Sequence, residues 1–249
     1  MRSYLVLIAL IINISILFGQ NRDADKLKDY VSYIEENYES GGWSKKCTIN
    51  DKGLIWIEEN YLDKKLRSRY EYYYDRYGNR YKEIQTFDPD DGVVNDEYDY
   101  KLVVDYNGVI IQRGSGNFIS VYSDFTELEQ AQIVEREAEY GAFPYKEVYE
   151  YNDKGSILKT VFYYNTPDSL IKISKETTQF RYDKNYNVIL LYRSNSPEKE
   201  FPMVMTGGPF KYEYEKFRYV YNRDGLWKKK FKTVEGKEYL IKKRKYTKR

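Results

Sequence analysis

A four-residue turn with one signature recurs along this chain, and no other feature constrains the fold as much. In Tyr70–Phe87, YEYYYDRYGNRYKEIQTF, the turn is Asp75-Arg76-Tyr77-Gly78 between two aromatic runs. Asp or Asn suits the first position because its side chain bonds the backbone two residues on. Gly suits the fourth because it adopts positive φ without a Cβ clash. The same plan returns at Asn50–Gly53, Asp105–Gly108, Asn152–Gly155 and Asn222–Gly225. Asp183–Tyr186 keeps the Asp but has Tyr in the Gly position, which predicts a strained or looser turn.

The flanks of the turns agree as well. One residue ahead stand Ile49, Tyr74, Val104, Tyr151, Tyr182 and Tyr221, and three ahead stand Cys47, Tyr72, Leu102, Tyr149, Phe180 and Tyr219. Apolar residues two apart share one face of a strand. The residues that leave the turn are often β-branched or aliphatic, as in Leu54-Ile55-Trp56-Ile57 and Val188-Ile189-Leu190-Leu191. Each copy therefore reads as a β-hairpin, and hairpins must pair edge to edge or stack to be stable in water.

A Tyr followed by Asp or Asn, two residues and Gly, set between aromatic strands, resembles the Tyr-Asp (YD, or RHS-type) repeat. The resemblance spans most of residues 45–245, with turn positions 25, 30, 47, 31 and 39 residues apart. It implies a wound β-sheet in a secreted or surface protein, as in small secreted Bacteroidota proteins of unknown function. It implies no catalytic residues.

Met1–Gln20 has one Arg and then an apolar run from Tyr4 to Phe18. That is the plan of a secretory signal peptide, with cleavage expected near Gly19 or Gln20. The run is shorter than the ~20 apolar residues of a spanning helix, so the mature chain is not expected to be transmembrane. No Cys follows it, which excludes a lipobox there. The expected location is secreted or periplasmic. Residues 21–249 then form a single aromatic-rich β-hairpin repeat domain. One cysteine, Cys47, allows no internal disulfide and sits at an inward repeat position, as a buried inert thiol does. The absence of histidine removes Ser-His and Cys-His nucleophile pairs and histidine zinc sites. No metal or cofactor is implied.

Two helices are expected beside the sheet. Over Asp23–Tyr38, Ala24, Leu27, Val31, Ile34 and Tyr38 fall at helical spacing before Gly41-Gly42. Over residues 125–139, Thr126 with Glu129 reads as a capping box ahead of Ala131, Val134 and Ala138. The acidic Asp88–Gly92 lacks the spacing of a calcium loop and reads as an exposed turn. Gly114-Ser115-Gly116 lacks the Lys and helix of a phosphate loop and reads as a bulge or corner. Between Ser194 and Pro209 three prolines and two glycines break the pattern. Phe201, Met203, Val204 and Met205 there make a core cover or a binding loop.

Charge is unevenly placed. Residues 226–249 hold eleven Lys or Arg against two acids, whereas residues 21–225 hold 29 basic and 37 acidic residues. The basic end reads either as an edge hairpin whose lysines block strand addition or as a patch for an anionic partner. Nucleic acid is not expected outside the cytoplasm. Thirty tyrosines fit a sheet with rings on both faces, and the consecutive rings at Tyr72-Tyr73-Tyr74 and Phe162-Tyr163-Tyr164 demand it.

The expected fold is all-β, an antiparallel meander of about fourteen strands, curved or barrel-like, with two accessory helices. The expected function is a non-enzymatic binding or structural module of the cell envelope. Its ligand would be a glycan, an anionic lipid head group or an envelope protein. The candidate binding residues are Lys228, Lys229, Lys230, Phe201, Met203, Met205, Tyr73 and Tyr163. The alternative is a glycan-active enzyme with paired carboxylates. An outer-membrane barrel fits less well, because Arg80-Tyr81-Lys82-Glu83 interrupts any apolar outward face.

Overall fold

The computed structural model describes residues 23–249 apart from residue 40 and residues 75–79, 89–91, 100, 105–109, 114–117, 126–130, 139–144, 166–172 and 204–209. The expected signal peptide, the turns Asp75–Gly78 and Asp105–Gly108, most of the acidic stretch, Gly114–Gly116, the capping box and Met205 lie outside the described residues.

Among the described residues, seventeen strands make one antiparallel sheet. The N-terminal arm is β1 (Tyr30–Asn37), β2 (Trp43–Ile49), β3 (Ile55–Leu62), β4 (Lys65–Tyr74), β5 (Arg80–Asp88) and β6 (Gly92–Asp99). The chain continues through β7 (Lys101–Val104), β8 (Ile110–Arg113), β9 (Phe118–Phe125), β10 (Ala131–Ala138) and β11 (Tyr145–Tyr151). It ends with β12 (Ile157–Asn165), β13 (Ile173–Tyr182), β14 (Val188–Ser196), β15 (Tyr214–Tyr221), β16 (Trp227–Val234) and β17 (Lys237–Lys248). Strands pair with their chain neighbours, as in a meander. β1 also pairs with β17, so the two ends of the chain meet in the middle of the sheet. The ladder path ends at β6 and β7, and no ladder among the described residues closes it into a barrel.

The sheet is thus all-β, as the repeats predict, with more strands and less helix. The helix expected over Asp23–Tyr38 stops after one turn, α1 (Ala24–Leu27), and the remainder becomes β1. The ladder slips between Tyr30 and Ser32, so the buried Tyr30 and Tyr33 fall three apart rather than two. Past Leu27 the stripe read as helical does not line the core: Ile34 and Tyr38 are exposed. The second expected helix is also strand: Ala131–Ala138 pairs on both sides, with β9 and β11. Ile133 and Val134 are β-branched, and two neighbouring strands take up the backbone groups that a helix would have paired internally.

Four of the predicted turns are described, and they share one hydrogen-bond set. Oδ1 of Asn50, Asn152, Asp183 and Asn222 accepts from the backbone N–H two and four residues on, at 2.8–3.0 Å. The fourth residue donates its N–H to the carbonyl of the first. Its φ is +78° at Gly53, +72° at Gly155, +76° at Gly225 and +62° at Tyr186. The Asp183 turn is therefore not looser. It keeps the same bonds and holds a tyrosine in the left-handed region, at a cost of about 1–2 kcal/mol.

Just past each turn the register slips by one residue. The extra residues are Trp56, Leu158, Ile189 and Lys228. A bulge takes a carbonyl out of the ladder, and here a tyrosine from the next strand satisfies it. Tyr74 donates to the Ile55 carbonyl at 2.7 Å and Tyr182 to Ile157 at 2.6 Å. Tyr219 donates to Val188 and Tyr246 to Trp227, both at 3.1 Å. These four tyrosines have a double role: the ring fills the buried face while the hydroxyl closes the neighbouring repeat.

The core lies at the turn end of this face. Leu27, Tyr30, Tyr33, Cys47, Ile49 and Leu226 are buried together, with Ile55 and Tyr246 against them. α1 sits on two of the turns. A Cβ at Gly53 would stand 1.8 Å from the Ala24 carbonyl oxygen, and Gly225 faces the Lys26 ammonium. Tyr30 donates to Asp224 and accepts from Asn222 at 3.0 Å, which ties β1 to the last repeat turn.

Candidate functional site

Residues directly opposite in a ladder share a face. Glu35 stands opposite Arg244 and Lys45, and Lys242 opposite Lys230. These residues lie on the face that buries Tyr33 and Cys47. Lys232 opposes Phe217 on the same face, next to Glu215. Beyond the aromatic core, then, the buried face carries a row of charge across β2, β1, β17, β16, β15 and β14.

Most of the row is paired. Lys242 Nζ and Arg244 Nε reach the two oxygens of Glu35 at 2.8 and 2.7 Å. Lys232 Nζ lies 2.6 Å from Glu39 and 3.4 Å from Glu215, whose other oxygen is 2.8 Å from Arg193. Lys45 pairs with Glu58 at 3.3 Å and Lys211 with Glu176 at 3.4 Å. Glu35, Glu215 and Lys232 are all buried, and burial is tolerable only because each is matched and hydrogen-bonded. Burial alone would raise the Glu35 carboxyl, but Arg244 and Lys242 outweigh it and hold the group below its ordinary value. The Arg244 guanidinium also lies over Trp227 at 3.9 Å and Tyr33 at 4.7 Å.

Lys230 is the exception. Its ammonium lies 4.1 Å from the Phe217 ring centre and 5.7 Å from that of Tyr219, and it has no ion pair among the described residues. Burial first, then the neighbouring Lys242, push its pKa down to about 8. A charged form disfavoured both by burial and by a neighbouring like charge is the pattern often found at functional sites.

The structure separates the lysines that the sequence groups together. Lys228 is an exposed bulge residue, Lys229 is exposed on the opposite face, and Lys230 points to the buried face. The C-terminal hairpin is not an edge. β16 lies between β15 and β17, and β17 between β16 and β1. Lysines that guard an edge have no role there, so that reading is withdrawn. On the exposed face, Lys229 opposes Lys243, with Lys245 two residues along β17 and Lys216 farther along β15, opposite Thr233; both are also exposed. Glu36 stands 3.9 Å from Lys243, while the acid of Glu238 is taken by Arg218 in a two-pronged pair at 2.7 and 2.6 Å.

The other candidates are dispersed. Tyr73 and Tyr163 are half-buried on the exposed face, each with a lysine over its ring, Lys82 at 6.0 Å and Lys175 at 5.9 Å. They lie on β4 and β12, on opposite arms of the sheet. Phe201 is half-buried, and Met203 bridges to Lys211 through two backbone bonds of 2.8 and 2.9 Å. This loop meets the charged row from outside: the carbonyls of Phe210 and Tyr212 accept from Lys232 and Arg193 at 3.3 and 2.9 Å. The sequence reading missed Glu35, Glu39, Arg193, Glu215, Lys242 and Arg244. The available signal was the alternation Lys242, Arg244, Tyr246, which puts two cations on the face of a core tyrosine.

No protein family matches the chain, and no curated protein does. Among solved structures it is similar to a porin-like protein from Bacteroides uniformis at 10% identity, covering 90% of this chain and 98% of that one, with a TM-score of 0.35. It is also similar to a Tc holotoxin pore of Photorhabdus luminescens at 15% identity, with a TM-score of 0.32. That match covers 80% of this chain and 9% of the toxin chain.

Proposed function

We propose that the protein is a non-enzymatic binding and structural module of the cell envelope or the space outside it, holding an anionic partner on the exposed face of β15, β16 and β17. One observation carries this reading. Lys229, Lys243 and Lys245 are exposed together in the middle of the sheet, with the exposed Lys216 four residues along β15 from Val220, the residue opposite Lys229; they protect no edge there, and Lys243 alone among them has an acid within ion-pair reach among the described residues. The exposed Val220 and Ile34 stand directly opposite Lys229 and Lys245. A basic surface interleaved with rings and aliphatics suits an acidic glycan, a lipid head group or an acidic protein.

A glycan-active enzyme needs a carboxyl with a raised pKa to act as general acid. Among the described residues the carboxyls of Asp25, Glu35, Asp224 and Glu238 are pulled down instead, by Lys28, by Arg244 and Lys242 against burial, by Tyr30 with Lys248, and by Arg218. No helix among the described residues is long and apolar enough to cross a membrane. The exposed face alternates Lys146, Lys159, Lys175 and Arg181 with apolar residues, unlike the apolar band of a lipid-facing strand.

The test is sedimentation of the mature protein with its own envelope fraction at low and high salt. Binding should be lost in salt and in the triple variant Lys229→Glu, Lys243→Glu, Lys245→Glu. Salt-resistant binding that survives these changes would remove the lysine face as the cause. Hydrolysis of an envelope polymer by the pure protein would overturn the non-enzymatic reading.

A further inference from the structure

The charged row balances everywhere except at one point. Arg193 and Lys232 face Glu215 and Glu39, Lys45 faces Glu58, and Lys211 faces Glu176. Each of these groups is neutral. Lys242 and Arg244 share the single carboxylate of Glu35, and Lys230 stands opposite Lys242 with only rings beside its ammonium. Three cations against one acid leave two positive charges uncompensated on the face that also buries Glu35, Glu215 and Lys232.

A binding role explains this excess better than stability does. The groups that face Lys230 are Lys242 from β17, Lys232 on its own strand, Tyr219 and Glu215 from β15, and Glu35 and Glu39 from the first strand and the residues after it. Both acids of the Glu215 side are held by Lys232 and Arg193, and Glu35 is held by Lys242 and Arg244. No side chain among them is free to neutralise Lys230. Beside Lys230 the cations on this part of the face are Lys242, directly opposite it, and Arg244, which share the one carboxylate of Glu35, and charged N–H donors are the groups that bind phosphate oxygens. We propose that Lys230 and Lys242, backed by Arg244, form a site on the buried face for a dianionic phosphate group, either inorganic phosphate or a phosphomonoester. Two negative charges match the excess, and the Phe217 and Tyr219 rings beside Lys230 offer an apolar wall for the rest of a phosphomonoester. This site lies on the opposite face from the lysines of the proposed function and stands independently of it.

The experiment is an NMR titration of the mature protein carrying ¹³Cε-labelled lysine, with the Lys230 signal assigned by its loss in Lys230→Met. Without phosphate its midpoint should lie near 8, and saturating inorganic phosphate should move it toward the ordinary 10.5. A midpoint unmoved by phosphate, or moved as much by chloride at equal ionic strength, would overturn the proposal. Calorimetric binding of inorganic phosphate and of phenyl phosphate separates the two sources: tighter binding of phenyl phosphate assigns the rings a role, and equal binding assigns the site to the free ion. Binding should disappear in Lys230→Met and persist in Lys229→Met. Equal loss in both variants would also overturn the assignment, and Lys230→Arg, which keeps the charge and also removes the labelled signal, supplies the assignment for the wild-type titration should Lys230→Met fail to fold.

Discussion

The two ends of the buried face are built from the same strands and do opposite things. At the turn end, Tyr30, Tyr33, Cys47, Ile49 and Leu226 pack beneath α1, and hydroxyls close the bulge carbonyls of the repeats. A few residues further along the same strands stand Glu35, Lys230, Lys232 and Glu215, where rings give way to charge. One end gathers interactions that lower the free energy of the fold. The other holds buried charges that break even at best, and one lysine that loses by being there. Stability and a binding surface are thus segregated along the strands rather than between domains.

The largest test of that contrast is at Gly53. In Gly53→Ala the new methyl meets the Ala24 carbonyl oxygen and the residue keeps φ near +78°. Denaturant unfolding should show a loss of about 3 kcal/mol, from backbone strain and displacement of α1. Gly236 has the same φ with nothing within 4 Å, so Gly236→Ala should cost only about 1 kcal/mol. Equal losses at the two sites would mean that α1 contributes nothing to the core.

At the charged end, Lys230→Met should stabilise. The unfolded lysine has a pKa of 10.5 and the folded one about 8. Between these values the unfolded chain binds more protons, so wild-type stability rises with pH through that window. Below pH 8 the penalty is complete, and at a half-buried site it amounts to about 2 kcal/mol. The variant's advantage should therefore be present at neutral pH and fade as pH approaches 10.5. An advantage independent of pH would show that the effect comes from packing rather than charge.

Asn222→Ala sharpens the comparison within the turns. It removes the acceptor for the N–H groups of Asp224 and Leu226 and the donor to Tyr30. Leu226 is almost wholly buried, and the cost should be about 1.5 kcal/mol. Asn152→Ala in the same turn away from α1 should cost less, and equal thermal shifts would deny the turn end near α1 any special weight. The smallest expected change is a gain. Tyr186→Gly relieves a positive φ of +62° in an exposed turn residue and should stabilise by about 1 kcal/mol.

Much of the sheet was legible in the residues because its determinants are local. An Asx side chain needs only the next four residues to form its turn, and a positive φ selects Gly within the same span. The recurrence of that unit at Asn50, Asn152, Asp183 and Asn222 dictated hairpins, their inward tyrosines and an all-β fold. The two helices were misread for a related reason. Local spacing at Val31, Ile34 and Tyr38 and at Ala131, Val134 and Ala138 satisfied a helix, and only partners on both sides turned those segments into strands.

What tertiary structure alone decided is long-range. Whether Lys229 and Lys230 protect an edge or lie mid-sheet depends on β1 inserting between β2 and β17, from the far end of the chain. Glu35 meets Lys242 and Arg244 across more than two hundred residues, so no window of sequence displays the pairing. The turns were written into the sequence because a turn closes on itself. The charged row was not, because each of its members acquires a meaning only from the strand laid beside it.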